Sequence, residues 1–83
     1  MKHSNIEIQR EKLLVLLRGI RQDKGIRQVE LAARLGVPQS FVSKYESGDR
    51  RLDILELRQV CDALGTSLQE FIRKLENSLN ETK

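Results

Sequence analysis

A short polar segment in the middle of this 83-residue chain carries side chains suited to hydrogen bonding with flat polar ligands. It contains Gln39, Ser40, Ser43 and Lys44. In a helix, residues three and four positions apart share a face, so Lys44 lies one turn beyond Ser40. Glutamine can bond adenine in bidentate fashion, serine can donate or accept, and lysine can reach guanine O6 and N7 or a phosphate. In a helix this segment would present an amide, hydroxyls and an ammonium group, and bases and phosphates are among the ligands that such groups can bind.

Basic side chains are concentrated around this segment. Residues 18–51 hold eight lysines and arginines against four acids, a net charge of +4, whereas residues 52–83 hold four basic and six acidic groups, a net charge of −2. The middle of the chain therefore attracts anions, and the C-terminal third does not. Mixed charge is also typical of an ordinary solvated surface. The asymmetry therefore supports an anionic ligand only when it is taken together with the polar segment.

Residue types that catalysis requires are scarce. The one histidine is His3, and the sequence has no glycine-rich phosphate loop and no cluster of metal-ligand residues. General acid–base and nucleophilic catalysis need such groups, so we expect no enzymatic activity, no metal and no cofactor. The single cysteine, Cys61, rules out an internal disulfide and a cysteine-based zinc site, and its place on an apolar helix face predicts a core thiol.

Membrane and secretion signals are also missing. The longest apolar run covers residues 13–17, far short of a bilayer span, and charged residues interrupt the N-terminal region where a signal peptide would need an apolar stretch. Three aromatic residues are too few for a stacking platform that binds single strands or RNA. We therefore expect a cytoplasmic protein with no membrane contact.

Hydrophobic periodicity predicts an all-α fold of five helices in one domain, residues 1–83. The first helix covers about 6–24, the second 28–35 and the third 38 or 39 to 47. The fourth follows Asp53 and the fifth follows Ser67, each with a glutamate three residues later, as in a capping box. The expected inward stripe of the fourth helix is Ile54, Leu57, Val60, Cys61 and Leu64.

Residues 28–48, QVELAARLGVPQSFVSKYESG, join the second and third predicted helices through a turn of three or four residues. Two helices joined in this way cross at a steep angle, which requires a small residue where they approach and a tight turn between them. Ala32 and Gly36 meet these needs. The apolar contacts that would hold the pair together are Leu31, Leu35, Val37, Val42 and Tyr45. Each feature is common, but the conjunction of all seven at this spacing indicates a helix-turn-helix.

Residues 18–65 resemble the repressor-like helix-turn-helix domains of phage repressors and Cro proteins, the XRE family. The matching features are Arg18 and Arg21, Gln28, L-A-x-x-L-G at 31–36, Gln39-Ser40, V-S-K-Y-E at 42–46, Gly48, and A-L-G at 63–65. The resemblance implies a five-helix repressor-like domain, with a family core at 17–65, that regulates transcription by sequence-specific binding of double-stranded DNA. The family also contains antitoxins and coactivators, so a protein-interaction module with the same fold and an unidentified protein partner is the alternative.

The resemblance further implies that the third helix is the recognition helix and lies in the major groove. The residues expected to contact bases are Gln39, Ser40, Phe41, Ser43 and Lys44. For Phe41 two interpretations stay open, because its ring could press on a thymine methyl or pack beside Tyr45.

Phosphate contacts are expected on both sides of this helix. Gln28 matches a family residue that binds phosphate at the start of the second helix, where the helix dipole and free amides favour an anion. Arg27 stands where the family usually has a serine or threonine cap and adds a cation there. Arg50 and Arg51 lie in the following loop, where the family often contacts the backbone and where charge also serves solubility. Arg21 is expected to touch phosphate and, as in the family, to pair with Glu46 at the end of the third helix.

The fifth helix, residues 67–79, offers a surface for dimerisation. Leu75 and Leu79 extend its apolar stripe beyond what a domain of this size needs, and Leu55 lies off the inward face of the fourth helix. One recognition helix reads only a few base pairs, so a two-fold homodimer on a palindromic operator is expected. The alternative is that Leu75 and Leu79 cap the core beside the first helix.

Overall fold

The computed structural model describes residues 3–81, with side chains from Ile6 onward, and these residues form five helices and no strand. The predicted all-α fold is therefore confirmed. The first helix begins at His3, three residues before the start that its apolar pattern indicated. The helices are α1 His3–Asp23, α2 Gln28–Leu35, α3 Gln39–Ser47, α4 Ile54–Ala63 and α5 Leu68–Asn80.

Local interactions explain where the helices begin and end. Asp53 caps α4 by accepting from the Glu56 backbone N–H at 2.7 Å, and the Glu56 carboxylate accepts from the Asp53 N–H at 3.0 Å, which completes the predicted capping box. In α5 only half of the predicted box forms. Ser67 accepts from the Glu70 N–H at 3.0 Å, but the Glu70 carboxylate pairs with Arg73 instead.

The turn between α2 and α3 depends on a glycine conformation. Gly36 has φ +71°, in the left-handed region, and its N–H closes the end of α2 on the carbonyls of Ala32 and Ala33. The chain then turns through Pro38, which precedes the first residue of α3. This short connection makes α2 and α3 pack closely against each other.

The core lies where all five helices meet. It is formed by Leu17, Ile26, Leu31, Ala32, Val42, Tyr45, Leu57, Val60, Cys61, Leu64 and Phe71. Burial raises the pKa of the Cys61 thiol to about 11, so it stays un-ionised at neutral pH. In addition to the contact between α2 and α3, α1 packs on α3 and α5, and α4 packs on α2 and α5.

One residue of the predicted inward stripe of α4 is on the outside. Ile54 is 60% exposed, whereas Leu57 is 5% exposed. The apolar side chain that joins the core at this end is Leu52, one position before the cap. Leu52 and Leu57 occupy the two positions of a hydrophobic staple, which fixes how the loop enters the helix and leaves Ile54 facing solvent. None of the described helices combines the length and apolar character needed to cross a membrane.

Candidate nucleic-acid interface

Helix α3 has one buried face and one polar face. Val42 and Tyr45 are fully buried against the other helices. This orientation leaves Gln39, Ser40 and Lys44 exposed, with Ser43 partly buried between them. We call these four residues the polar face of α3, and the structure brings them together as the sequence predicted.

The polar face of α3 keeps hydrogen-bonding capacity for a ligand. Ser43 Oγ donates to the Ser40 carbonyl at 3.2 Å, which leaves its oxygen lone pairs available as acceptors. Within residues 3–81, neither Gln39 nor Lys44 has a side-chain hydrogen bond or ion pair. An amide, two hydroxyls and an ammonium group therefore face outward from a single rigid helix.

Phe41 lies at the edge of this face and is partly buried. Its ring centroid is 6.1 Å from that of Tyr45, with an interplanar angle of 71°, an edge-to-face contact. The Cζ atom of Arg50 lies 4.5 Å from the Phe41 centroid, on the ring face. Of the two interpretations of Phe41, the structure therefore has the ring packed beside Tyr45, and a contact with a thymine methyl stays a prediction.

A buried hydrogen-bond network sets the orientation of α3. Arg21 Nε donates to Glu46 Oε2 at 2.7 Å and Arg21 Nη2 donates to Oε1 at 3.0 Å. Gln28 Nε2 donates to the same Oε1 at 2.9 Å. The side chains of the ion pair are only 10% and 4% exposed. This network joins α1, the start of α2 and the end of α3, so it holds the helix-turn-helix as one unit.

The network argues against the direct phosphate contact expected of Arg21. Besides its two bonds to Glu46, Arg21 donates from Nη1 to the Ile26 carbonyl at 2.9 Å, and the residue is 8% exposed. A buried guanidinium that uses three nitrogens inside the protein is not placed to meet a ligand. The network leaves a phosphate contact of Gln28 open as a prediction, because its amide has a second N–H that the bond to Glu46 does not use.

Arg27 lies at the start of α2 and is available to solvent. Its side chain is 76% exposed and contacts Glu30 at 3.2 Å. Glu30 also accepts from the Arg27 backbone N–H at 2.8 Å. That backbone hydrogen bond, followed by the bond from the Arg27 side chain, lowers the pKa of the Glu30 carboxyl. Glu30 thus satisfies an amide at this helix end, although the usual serine or threonine cap is absent.

The two arginines after α3 have different environments. Arg50 Nη2 donates to Glu56 Oε2 at 2.8 Å, and Arg50 Nη1 donates to the Arg51 carbonyl at 3.1 Å. Arg51 is exposed, and its side chain has no hydrogen bond or ion pair within residues 3–81. Both residues are expected to contact phosphate. Arg51 is the more available of the two, because Arg50 already contacts Glu56 and Phe41.

Sequence reasoning missed two side-chain partners. It assigned Gln28 to phosphate alone, but the residue also supports Glu46, which is 18 positions away. It treated Glu56 as a capping residue alone, but Glu56 also binds Arg50. The partners in each contact do not lie on the same helix, so the periodicity of a single helix does not signal these contacts. No group of three or more potential metal-ligand residues occurs in the described part of the chain.

Comparisons with known proteins agree with this architecture. A family model described as helix-turn-helix matches residues 17–71, more than half of the chain. The HTH-type transcriptional regulator y4dJ of Sinorhizobium fredii is 36% identical over 53 residues, which cover 64% of this chain and 69% of that protein.

Solved structures extend the likeness to almost the whole chain. An XRE-family like protein from Pseudomonas syringae pv. tomato has a TM-score of 0.83 and 47% identity, covering 87% of this chain and 88% of its own. The restriction-modification controller protein C.Esp1396I, in its tetramer with a natural 35-base-pair operator, has a TM-score of 0.79 and 25% identity, covering 86% and 93%. The chain therefore belongs to the XRE-type helix-turn-helix family and is a transcriptional regulator of that type.

Proposed function

We propose that the protein binds a specific palindromic site in double-stranded DNA as a homodimer and thereby regulates transcription. The observation that carries this proposal is that the polar face of α3 is accessible to a ligand. The buried Arg21–Glu46 pair holds α3 in one orientation. A preorganised surface loses little conformational freedom on binding, which favours specific recognition.

The polar face of α3 is proposed to contact bases. Gln39 suits adenine, Lys44 suits guanine or a nearby phosphate, and Ser40 and Ser43 suit several base edges. Support comes from the free donors of Gln39 and Lys44 and from their place at the start and middle of one helix. In helix-turn-helix proteins the corresponding helix lies in the major groove.

Phosphate contacts are proposed for three residues that flank this face. Arg27 and Gln28 lie at the start of α2, and Arg51 lies in the loop after α3. Arg27 and Arg51 are exposed, and Gln28 keeps one amide hydrogen for an anion. Phosphate contacts of this kind position the protein on DNA, while base contacts supply specificity.

The proposed dimer surface combines α5 with the start of α4, two helices that pack against each other. Leu55 is 69% exposed and is a large apolar surface available to a partner. Leu75 and Leu79 on α5 are partly buried within the single chain, so a dimer would cover what remains of their surface. The operator-bound tetramer of C.Esp1396I supports assembly on DNA as a property of a similar protein.

A protein-interaction module is the second candidate, and one observation favours it. Ile54 and Leu55 are adjacent and are 60% and 69% exposed, at the start of α4. Neither belongs to the polar face of α3, so a protein partner there would be compatible with DNA binding. Exposed contiguous apolar surface is a feature of protein contact sites, and these two side chains are the candidate for such a site.

Selection of binding sites from a random pool of duplex oligonucleotides tests the proposed function. We expect enrichment of a symmetric site with half-sites about one helical turn, roughly 34–36 Å, apart. The selected duplex and a shuffled duplex are then compared by gel shift at low and moderate salt. Failure to enrich any sequence, with equal binding of both duplexes, would contradict sequence-specific recognition.

A further inference from the structure

The loop between α3 and α4 contains an arginine that does not face solvent freely. The guanidinium of Arg50 lies over the ring of Phe41, with 4.5 Å from Cζ to the ring centroid. The same guanidinium donates to Glu56 Oε2 at 2.8 Å and to the Arg51 carbonyl at 3.1 Å. One side chain therefore joins the edge of the α3 polar face to the first turn of α4.

Glu56 is itself held in place by the cap of α4. Its Oε1 accepts from the Asp53 N–H at 3.0 Å, and its own N–H donates to Asp53 Oδ1 at 2.7 Å. Glu56 Oε2 accepts from Arg50 Nη2 at 2.8 Å, and Oε1 also accepts from Arg50 Nη1 at 3.4 Å. The α4 cap therefore holds Glu56, Glu56 holds Arg50, and Arg50 packs on the Phe41 ring.

Stability alone does not explain this arrangement. The side chains of Arg50 and Glu56 are 39% and 27% exposed, and ion pairs near solvent add little to folding. The charge of Arg50 matters more for DNA binding than for stability, because Arg50 lies in the loop that follows the proposed recognition helix α3. Paired with Glu56, Arg50 gives this site no net positive charge to attract a phosphate.

We propose that Glu56 is a positioning residue for DNA recognition, because it holds Arg50 on Phe41, fixes that ring beside the polar face of α3, and keeps the Arg50 charge from the DNA backbone. This inference rests on the proposed DNA-binding function. Glu56 then lowers the affinity of the protein for every DNA duplex and raises its preference for the selected site over other sequences. Arg51 is then the arginine of this loop that meets phosphate.

Glu56→Gln tests the proposal without removing the cap, because the amide oxygen can still accept from Asp53. We expect the slope of log K against log salt to steepen by about one per subunit, as released Arg50 gains a phosphate. The preference for the selected site over a shuffled duplex should fall about two- to fivefold, the factor for one exposed cation–π contact.

Glu70→Gln is the matched control. It also neutralises one carboxylate paired with an arginine in the first turn of a helix, but it lies on α5. Net charge changes equally in both variants, so an effect of charge alone would appear in both. Because Glu70 pairs with Arg73 and not with Arg50, we expect the salt slope and the site preference of Glu70→Gln to match those of the wild type. If Glu56→Gln and Glu70→Gln behave alike, Glu56 has no positioning role.

A double variant, Arg50→Met with Glu56→Gln, tests whether Arg50 contacts phosphate in the wild-type complex. Methionine can still pack on the Phe41 ring, and the net charge of the pair stays at zero. We expect the wild-type salt slope. A slope shallower by about one per subunit would show that Arg50 binds phosphate and would overturn the proposal.

An NMR measurement without DNA keeps this inference separable from the proposed function. Stacking on Phe41 should shift the Arg50 side-chain protons upfield, and Phe41→Leu and Glu56→Gln should both remove that shift. Absence of the shift in the wild type overturns the arrangement itself. If the shift is present but no duplex is bound, the DNA-binding function fails. If duplex binding is intact and Glu56→Gln leaves both slope and preference unchanged, only this inference fails.

Discussion

Glu46 accepts hydrogen bonds from Arg21 at 2.7 and 3.0 Å, although 25 residues separate the two along the chain. Both side chains are almost completely buried. The planar guanidinium and carboxylate meet in a two-bond geometry that allows little rotation. This contact fixes the end of α3 relative to α1, and the polar face of α3 therefore has one orientation.

Breaking this buried pair from one side should destabilise the fold strongly. Glu46→Ala leaves the buried Arg21 charge without a countercharge, and we expect the free energy of unfolding to fall by about 3–5 kcal/mol. Urea denaturation followed by circular dichroism measures this loss. Arg21→Met combined with Glu46→Leu should cost much less, because no isolated charge remains. A single substitution that costs below about 1 kcal/mol would contradict the assigned role of the pair.

Base readout should depend on the polar face of α3. Gln39→Ala and Lys44→Ala should each reduce affinity for the selected site by about 1–3 kcal/mol and flatten preference at particular base positions. Gln28→Ala should weaken all duplexes by a similar factor, because its proposed partner is phosphate. Binding-site selection repeated with each variant distinguishes these outcomes. An unchanged selected site with Gln39→Ala would show that the recognition surface lies elsewhere.

Affinity should fall steeply as salt increases. If each subunit neutralises about three to five phosphates, the slope of log K against log salt for the dimer is about −5 to −9. Arg51→Ala should make this slope shallower by about one per subunit, since the exposed Arg51 has no partner within residues 3–81. Arg58→Ala is a suitable control, because Arg58 is an exposed cation on α4. A wild-type slope near zero would remove the case for backbone contacts.

Dimerisation should require the apolar surface of α5. Leu75→Asp combined with Leu79→Asp should yield a folded monomer with much weaker operator binding, because a single recognition helix reads too few base pairs. Sedimentation at tens of micromolar and circular dichroism report assembly and folding. Val15→Asp, at a residue 52% exposed on α1, serves as the control and should remain dimeric. A wild-type chain that stays monomeric both alone and on operator DNA would disprove the dimer.

Stability should decline at alkaline pH because of Cys61 and Tyr45. Burial raises the pKa of the Cys61 thiol from 9.0 to about 11 and raises the pKa of the Tyr45 phenol well above its usual value. The unfolded chain therefore releases these protons at lower pH than the folded chain. The free energy of unfolding should fall as pH rises from about 9 to about 11. Denaturation at several pH values measures the slope, which Cys61→Ala should reduce.

Tyr45 adds an independent check on the core. Its hydroxyl is buried and has no hydrogen-bond partner in the described part of the chain. An unsatisfied buried polar group is costly, so Tyr45→Phe should raise the free energy of unfolding by about 1 kcal/mol. Tyr45→Phe should also reduce the fall in the free energy of unfolding at alkaline pH. A clear destabilisation would show that the hydroxyl has a partner in solution.

The sequence by itself determined the five helices and the helix-turn-helix. Apolar spacing, glycine at the turn and the Asp53 cap act over a few residues, so each can be recognised without knowing the remaining fold. The polar face of α3 was predictable for the same reason, because once Val42 and Tyr45 are buried, helical geometry places the polar residues outward.

Only the tertiary structure decided which charged residues are available to a ligand. Arg21 and Arg50 belong to the same basic region as Arg51 in the sequence, yet Glu46 and Glu56 engage the first two and leave the third exposed. The position of Ile54 outside the core was likewise set by packing, through Leu52. Contacts between residues that lack helical spacing depend on how helices meet in space, and no local pattern records that geometry.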